Sequence, residues 1–214
     1  MCQNEKLNGK IHYSDGTVVT APLEKNESIW NAPKAKTNIP TLFTFNMPKG
    51  PKLPAAISLM RSSCDKPTNL LKLIYIKPAA KSDIGVCVKG VTFNGEISIR
   101  LIEWLETMKI LSVDKVYLYS YSIHQNVSRL LKYYQKKGLV EVTKFTLPGG
   151  KPNKLGLQNQ YLYENINYKR QIEVIPYNDC FYKNMNKHRY IINLDIDEVI
   201  VPKNGKTLKE LTKM

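Results

Sequence analysis

The stretch YIINLDIDEVIVP, residues 190–202, has the pattern of a buried strand that ends in acidic residues. Its apolar run stops at Asp195, and Asp197 and Glu198 follow close behind. Because burying an unpaired charge is costly, these carboxylates need a metal ion, a cationic side chain or water as a partner. The stretch therefore predicts a strand that brings carboxylates to one edge of a sheet.

Strands and helices alternate upstream of this stretch, from Asp83 onward. Short apolar runs indicate strands, and apolar residues three or four positions apart indicate helices. The successive segments are IGVCVKGV, ISIRLIEWLETMKIL, DKVYLYSY, NVSRLLKYYQKKG, LVEVTKF, a polar connection, IPYNDCFYKNMNKH and YIINLDID. This β-α-β-α-β-loop-α-β order predicts a mainly parallel sheet with helices on both faces. In the second helix, Asn126 is the predicted N-cap and Gly138 the predicted left-handed terminator.

The position of the acidic residues within this order has a functional meaning. Ligands of open parallel sheets bind beyond the carboxyl ends of the strands, where the strand order switches. Asp195 and Asp197 end the last predicted strand. They are therefore expected on the ligand side of the sheet.

The first 80 residues differ in composition from the rest of the chain. They hold eight of the 12 prolines, and the run TNIPTLFTFNMPKGPKLP excludes a helix because proline removes a backbone donor and clashes with the preceding turn. We predict short strands near residues 11–13, 17–21, 55–60 and 70–76, with a hairpin at the Asp-Gly turn of YSDGTV. Residues 1–80 are expected to form a β-rich N-terminal accessory region.

The overall composition fits one large domain, or one domain with a small addition. The chain has 214 residues, of which 43% are hydrophobic, enough to bury a core. Its net charge of +14 suits an anionic partner. The basic residues are scattered rather than grouped in a run, so nucleic acid is not an expected partner. No stretch approaches the roughly 18 apolar residues of a membrane helix.

The cysteines do not indicate a zinc site. The four cysteines lack CxxC spacing: Cys2, Cys64, Cys87 and Cys180. Disulfides in an oxidising compartment and buried thiols both remain compatible with this pattern. Since Cys87 lies in an apolar run, a buried thiol is favoured at that position.

The Asp195-x-Asp197 pair is typical of two enzyme classes. In a GT-A glycosyltransferase such a pair holds Mg²⁺ or Mn²⁺, which neutralises a diphosphate leaving group. In a HAD-like phosphatase, the segment LDIDEVI would supply Asp195 as nucleophile and Asp197 as general acid/base. That motif normally ends the first strand of its domain, whereas several β-α units precede it here, so the glycosyltransferase is favoured. An EF-hand loop is excluded because no further acid and glycine follow at the required spacing.

Several ordered blocks of the sequence resemble the glycosyltransferase family 92 domain, formerly DUF23. They cover residues 84–205: VCVKGVTF, LIEWLETMKILSVDKVYLYSY, YYQKKGLVEVTKFTLPGG, KRQIEVIPYNDCFYKNM and YIINLDIDEVIVP. The resemblance implies an α/β, GT-A-like fold, which is Rossmann-like with a mainly parallel sheet and helices on both faces. It implies transfer of a sugar, typically galactose from UDP-galactose with Mn²⁺, to a glycan or glycoprotein acceptor. It also implies a type II membrane protein of the Golgi lumen.

The resemblance also implies roles for individual residues. Asp195 and Asp197 look like the metal-binding pair, and Glu198 is a candidate for orienting a neighbour. The expected donor-binding residues lie at the ends of the first two strands and before the last one: Lys89, Gly90, Tyr119, Ser120, Arg170, Gln171 and Asn178.

The chain departs from the family at its C-terminus. The family's domain continues past the Asp-x-Asp motif, whereas this chain ends at Met214. We therefore expect residues 81–214 to be the N-terminal, nucleotide-binding half of an incomplete GT-A domain, with the acceptor half and the membrane anchor outside this chain. An inverting transfer needs a general base, and no residue before Met214 is assigned that role. A non-catalytic module is the third alternative, besides the two enzyme classes.

Overall fold

The computed structural model describes residues 7–30, 38–62, 65–93, 95–154, 156–203 and 206–212. Contacts along the chain define two compact units. One comprises residues 1–33 and 39–76, and the other comprises residues 34–38 and 77–214. The first contains an antiparallel sheet and the second a parallel sheet with helices, so the protein is of mixed α/β class.

The first unit is built from five antiparallel strands. They are β1 (Asn8–His12), β2 (Val18–Ser28), β3 (Thr41–Phe45), β4 (Ala56–Met60) and β5 (Leu71–Lys72). Their order in the sheet is β3-β2-β1-β4-β5. The predicted β-rich character is confirmed, although β2 is longer than expected and the strand expected near residues 70–76 has only two residues.

The predicted Asp-Gly hairpin joins β1 to β2. Gly16 adopts a φ of 84°, a backbone conformation that residues with a Cβ atom rarely adopt. Tyr13 N donates to Thr17 O at 2.9 Å, and Thr17 N donates to Asp15 Oδ1 at 2.9 Å. These bonds fix the turn, so the hairpin prediction is confirmed.

The second unit alternates strands and helices. In chain order its elements are β6 (Ser82–Phe93), α1 (Ser98–Ile110), β7 (Lys115–Ile123), α2 (Gln125–Lys136), β8 (Val140–Lys144), α3 (Leu157–Glu164), α4 (Ile166–Asn184), β9 (His188–Asn193) and α5 (Leu208–Leu211). The four strands are parallel and lie in the order β8-β7-β6-β9. The chain moves from β6 through β7 to β8 and then returns to the other side of β6. The strand order therefore reverses between β6 and β9.

Helices cover both faces of the parallel sheet, as the alternation predicts. Successive strand residues point to opposite faces. Val86 and Val88 of β6 accordingly pack in the core formed with α1 and α2, whereas Cys87 lies in the cluster that contains Cys180 of α4. Lys89 follows Cys87 by two positions and so lies on the same face of the strand. Its side chain is thereby directed to the face of the sheet that α4 covers.

Cys87 and Cys180 form a disulfide between β6 and α4, with their Cα atoms 6.0 Å apart. Both residues are fully buried. The favoured interpretation of Cys87 as a buried thiol is wrong, because α4 packs its own cysteine against the strand. Cys2 and Cys64 lie outside the described residues.

The start of α2 differs from the prediction, and its end agrees with it. His124, not Asn126, is the N-cap residue, because its ring accepts a hydrogen bond from Asn126 N. The Asn126 side chain instead donates to Glu96 Oε2. Gly138 has a φ of 83° just after the helix, so the predicted left-handed terminator is confirmed.

The polar connection predicted before the last helix is wrong, because that region contains α3 and the first half of α4. Helix α4 runs for 19 residues and continues through Pro176, where the sequence pattern placed its beginning. Its buried face includes the polar residues Gln171 and Asn184. They interrupt the regular spacing of apolar residues by which a helix is predicted from sequence. Within the described ranges, no helix has the length and apolar character needed to cross a membrane.

Candidate functional site

A cleft lies where the strand order reverses, beside the carboxyl ends of β6 and β9. Its volume is about 260 Å³. Its lining comes from β6, the beginning of α1, α4 and the turn after β9: Val88, Lys89, Gly90, Ile97, Arg100, Lys169, Glu173, Asp195, Ile196 and Asp197. A shallower cleft of about 470 Å³ beside α3 shares Lys169 with it but has no carboxylate in its lining. Because ligands of open α/β sheets bind at the reversal of strand order, the first cleft is the candidate site.

Lys89 and Asp195 form an ion pair inside this cleft. Lys89 Nζ lies 2.6 Å from Asp195 Oδ2, and the side chains are 33% and 26% exposed. The last residue pair between the two strands is Cys87 with Asn193. Lys89 and Asp195 each lie two residues further along, so the strand register itself brings them to the same level of the sheet edge.

Opposing effects act on the charge of Lys89. Burial lowers its pKa, but the hydrogen bond to Asp195 raises it. The negative charges of Glu173 and Asp197 raise it further, and the net pKa of Lys89 is above its ordinary value. Lys89 is therefore a cation at neutral pH, and it neutralises part of the negative charge of the cleft.

Tyr177 of α4 holds the second oxygen of the same carboxylate. Its hydroxyl donates to Asp195 Oδ1 at 3.0 Å. Burial is the main cause that raises the pKa of Tyr177, and the hydrogen bond to Asp195 adds to it. The phenol therefore remains a hydrogen-bond donor, and both carboxylate oxygens of Asp195 have a partner.

The turn after β9 is held from two directions. Glu198 N donates to Asp195 O at 3.0 Å, and Asp195 N donates to Glu198 Oε2 at 3.0 Å. The buried indole of Trp104 in α1 donates to Glu198 O at 2.8 Å. Glu198 thus orients the backbone of Asp195, in keeping with the role expected of it.

Charges of both signs line the cleft in equal number. Three are cationic and three anionic: Lys89, Arg100, Lys169, Glu173, Asp195 and Asp197. Arg100 and Asp197 are exposed, whereas Glu173 is 16% exposed and lies 3.9 Å from Lys169. The site therefore offers carboxylates for a cation and cationic groups for an anion within one cleft.

The donor set can be compared with the needs of a divalent metal. Among the described residues, no group of three or more His, Cys, Asp or Glu side chains could hold a metal ion. Asp195 and Asp197 thus offer two carboxylates, which fits Mg²⁺ or Mn²⁺, since these ions are held by one or two carboxylates together with water and substrate phosphate oxygens. Lys89, which is paired with Asp195, would compete with such an ion for the Asp195 carboxylate.

The residues expected at the ends of the first two strands lie differently from the prediction. Both β6 and β7 continue past them, to Phe93 and Ile123. Gly90 lines the cleft, and a Cβ there would come 1.9 Å from the Tyr121 ring, so only glycine fits. Tyr119 is buried, and it donates to Asp179 Oδ2 at 2.6 Å. Neither Tyr119 nor its buried neighbour Ser120 is among the lining residues.

The three residues expected before the last strand all lie on α4, but none of them lines the cleft. Arg170 is exposed. Gln171 is buried, and its side-chain amide donates to Asn38 O at 3.1 Å. The Asn178 amide donates to Val174 O at 2.8 Å, within the helix. Their positions leave Lys89, Gly90, Asp195 and Asp197 as the predicted residues that the fold brings together.

Sequence reasoning missed the contribution of α4 to the cleft. Lys169 and Glu173 line it, and Tyr177 reaches Asp195 from the same helix. These three residues are four positions apart, which places them on one helical face. That spacing was a usable signal, but the helix was expected to begin only near Pro176.

A curated relative shares part of this sequence. The β-1,4-galactosyltransferase galt-1 of Caenorhabditis elegans is 23% identical over 121 residues. The match covers 56% of this chain and 25% of the relative. The chain thus spans about a quarter of the length of that relative.

The family comparison covers the unit that contains the cleft. The sequence model of glycosyltransferase family 92 matches residues 82–214, more than half of the chain. The matched region begins with β6 and includes both Lys89 and the Asp195-x-Asp197 pair. The resemblance noted in the sequence is confirmed, and the chain belongs to glycosyltransferase family 92.

Proposed function

We propose that the protein transfers galactose from UDP-galactose to a glycan acceptor, using a divalent metal held by Asp195 and Asp197. Family membership and the similarity to a protein named as a β-1,4-galactosyltransferase support a sugar transfer. The observation that carries the proposal is the meeting of Lys89 from β6 with Asp195 and Asp197 after β9 in one cleft. This cleft has the place of a nucleotide site in an open parallel sheet.

Six residues in or beside the cleft have a role in this proposal. Asp195 and Asp197 hold Mn²⁺ or Mg²⁺, and a bound metal neutralises the diphosphate as it leaves the sugar. Arg100 and Lys169 supply positive charge for the diphosphate, because guanidinium and ammonium groups donate to phosphate oxygens. Trp104 and Glu198 keep the turn that carries Asp195 in place.

The proposal assigns separate roles to the two parts of the chain. Residues 81–214 are the nucleotide-binding half of a GT-A-like domain, and residues 1–80 are a β-rich accessory region. The parallel sheet with its cleft supports the first assignment. The acceptor is a glycan or glycoprotein, and the proposal assigns no catalytic base to this chain.

The disulfide supports a location in the Golgi lumen. Cys87 and Cys180 are bonded, and disulfides persist in oxidising compartments of the secretory pathway but are rare in the cytosol. The HAD-like phosphatase has no such support. Neither comparison favours it.

Calorimetry with UDP tests the metal role. We expect Mn²⁺-dependent binding of UDP that the double change Asp195→Asn and Asp197→Asn weakens by on the order of 100-fold. Asp83→Asn is the matched control, because it removes a carboxylate at the opposite end of β6, and it should leave the affinity unchanged. The same UDP affinity in the double variant would reject the role of the Asp pair.

A donor panel tests the sugar. Release of hexose from UDP-galactose, UDP-glucose and UDP-N-acetylglucosamine is measured with and without Mn²⁺. We expect UDP-galactose to react fastest and only with the metal. A faster reaction with another donor would replace galactose while leaving the transferase assignment in place.

A further inference from the structure

Both carboxylate oxygens of Asp195 have a partner within the protein itself. Its Oδ2 lies 2.6 Å from Lys89 Nζ, and its Oδ1 accepts from the Tyr177 hydroxyl at 3.0 Å. The tyrosine is a neutral donor, so the positive charge at this carboxylate comes from Lys89. The arrangement places an ammonium where the proposed metal would bind.

An ammonium and a divalent ion compete for one carboxylate oxygen. A coordinated Mg²⁺ lies roughly 2.0–2.1 Å from its oxygen ligand. With Lys89 Nζ at its present distance of 2.6 Å from the same oxygen, the two like charges would repel strongly across a partly buried space. We therefore expect metal binding at this oxygen to displace Lys89 from Asp195.

Glu173 provides a second carboxylate for the displaced lysine. It lines the same cleft and lies one helical turn before Tyr177 on α4. Its side chain is 16% exposed, and its ion pair with Lys169 is long at 3.9 Å. The charge of Glu173 already raises the pKa of Lys89, so the two groups interact before any movement.

We propose that Lys89 is a displaceable counter-ion, which neutralises Asp195 while no metal is bound and moves to Glu173 when a divalent cation binds. The inference rests on the proposed function in one respect, namely that Asp195 is a metal ligand. It adds that the protein opposes metal binding with its own cation. Pairing of Lys89 with Asp195 then opposes metal binding, whereas its pairing with Glu173 favours it.

The first test measures Mn²⁺ affinity without nucleotide, from the electron paramagnetic resonance signal of the unbound ion. Lys89→Met should tighten binding by on the order of tenfold, because the competing charge is gone. Lys89→Arg keeps the charge and should stay close to the wild type. Lys209→Met is the matched control: Lys209 Nζ lies 2.5 Å from Asp83 at the other end of β6, and its loss should not change the affinity.

The second test is a double-mutant cycle with Glu173→Gln. In the wild-type background this change should weaken Mn²⁺ binding several-fold, because the displaced lysine loses its second partner. In the Lys89→Met background it should have no effect. If Glu173→Gln weakens binding equally in both backgrounds, Glu173 acts on the metal directly and the transfer of Lys89 is wrong.

The outcomes separate this inference from the proposed function. If the Asp195→Asn and Asp197→Asn double variant binds Mn²⁺ as the wild type does, both are overturned. If that double variant loses Mn²⁺ but Lys89→Met does not bind it more tightly, only the counter-ion role is overturned. Lys89→Gln, checked by thermal unfolding, replaces Lys89→Met if the latter does not fold, and the same tightening is expected.

Discussion

Strand β6 forms an ion pair with β9 at one end and with the turn after β9 at the other. At the end where the strands begin, the amino edge, Asp83 of β6 lies 3.5 Å from Arg189 of β9 and 2.5 Å from Lys209 of α5. At the end where they finish, the carboxyl edge, Lys89 lies 2.6 Å from Asp195. Both are ion pairs between a carboxylate and a cationic side chain. The residue from β6 is the anion at the amino edge, Asp83, and the cation at the carboxyl edge, Lys89.

The surroundings of the two pairs differ. Asp83 at the amino edge binds cations from a strand and from α5, so its charge holds a helix in place. The carboxyl-edge pair lies in a cleft beside the exposed charges of Arg100 and Asp197. The comparison teaches that an ion pair does not by itself mark a site. Its position relative to the reversal of strand order does.

The largest effect is expected from the disulfide, which both edges share through β6. Replacing Cys87 and Cys180 by Ala should lower the free energy of unfolding by about 2–5 kcal/mol. Because α4 carries Tyr177 and Glu173, UDP affinity in Mn²⁺ should fall as well. Urea unfolding and calorimetry measure the two effects.

A reductant provides the matching control for the disulfide. The wild type in dithiothreitol should lose at least as much stability as the Cys87→Ala and Cys180→Ala variant loses. Equal stability of oxidised and reduced wild type would contradict the expectation.

An intermediate effect is expected from Trp104→Phe, which acts on the carboxyl edge alone. The change removes the indole donor to Glu198 O and should cost about 1 kcal/mol of stability. Since Glu198 orients Asp195, UDP affinity in Mn²⁺ should also fall by roughly fivefold.

Tyr134→Phe is the control for this change. Tyr134 donates to Glu106 Oε1 at 2.9 Å, between α2 and α1, so its loss should lower stability without changing UDP affinity. Equal UDP affinities of the Trp104 and Tyr134 variants would show that the turn does not depend on the indole.

The smallest effect is expected at the amino edge, from His188. Its ring contacts Tyr117 OH at 2.8 Å and Ser82 Oγ at 2.7 Å. Burial lowers the pKa of His188, while the charge of Asp114 opposes the shift. Since the pKa is lower in the folded state, the stability from His188 is present above the unfolded value of about 6.5 and is lost as the pH falls below it.

Urea unfolding between pH 7.5 and pH 5.5 tests this dependence. His188→Gln should be less stable at pH 7.5 but should lose less stability on acidification than the wild type. His124→Asn changes a partly buried histidine at the start of α2 and should keep the wild-type slope. If His188→Gln loses as much stability on acidification as the wild type does, His188 is not the source of the acid sensitivity. If His188→Gln changes UDP affinity, nucleotide binding does not depend on the carboxyl edge alone.

The sequence contained enough to predict the parallel sheet and the position of its acidic residues. Strand alternation and the place of Asp195 after the last strand followed from local patterns. Lys89 was predicted near the same site, but its pairing with Asp195 depends on the register of two strands more than 100 residues apart in the sequence, which local patterns do not encode.

The remaining features depend on contacts between distant segments. Helix α4 was expected to begin only near Pro176, so its first half, which carries Glu173, was missed. The disulfide joins cysteines 93 residues apart. Trp104 has the spacing of a core residue, and nothing local to it indicates a bond to the turn after β9.

Amide chemical shifts of the protein titrated with UDP and Mg²⁺ compare the two edges directly. Nucleotide binding at the carboxyl edge should move the signals of Lys89, Gly90, Asp195 and Asp197 and leave those of Asp83 and Arg189 unchanged. Largest changes at Asp83 and Arg189, or no change at any of these residues with saturating UDP, would contradict the assignment of the cleft as the nucleotide site.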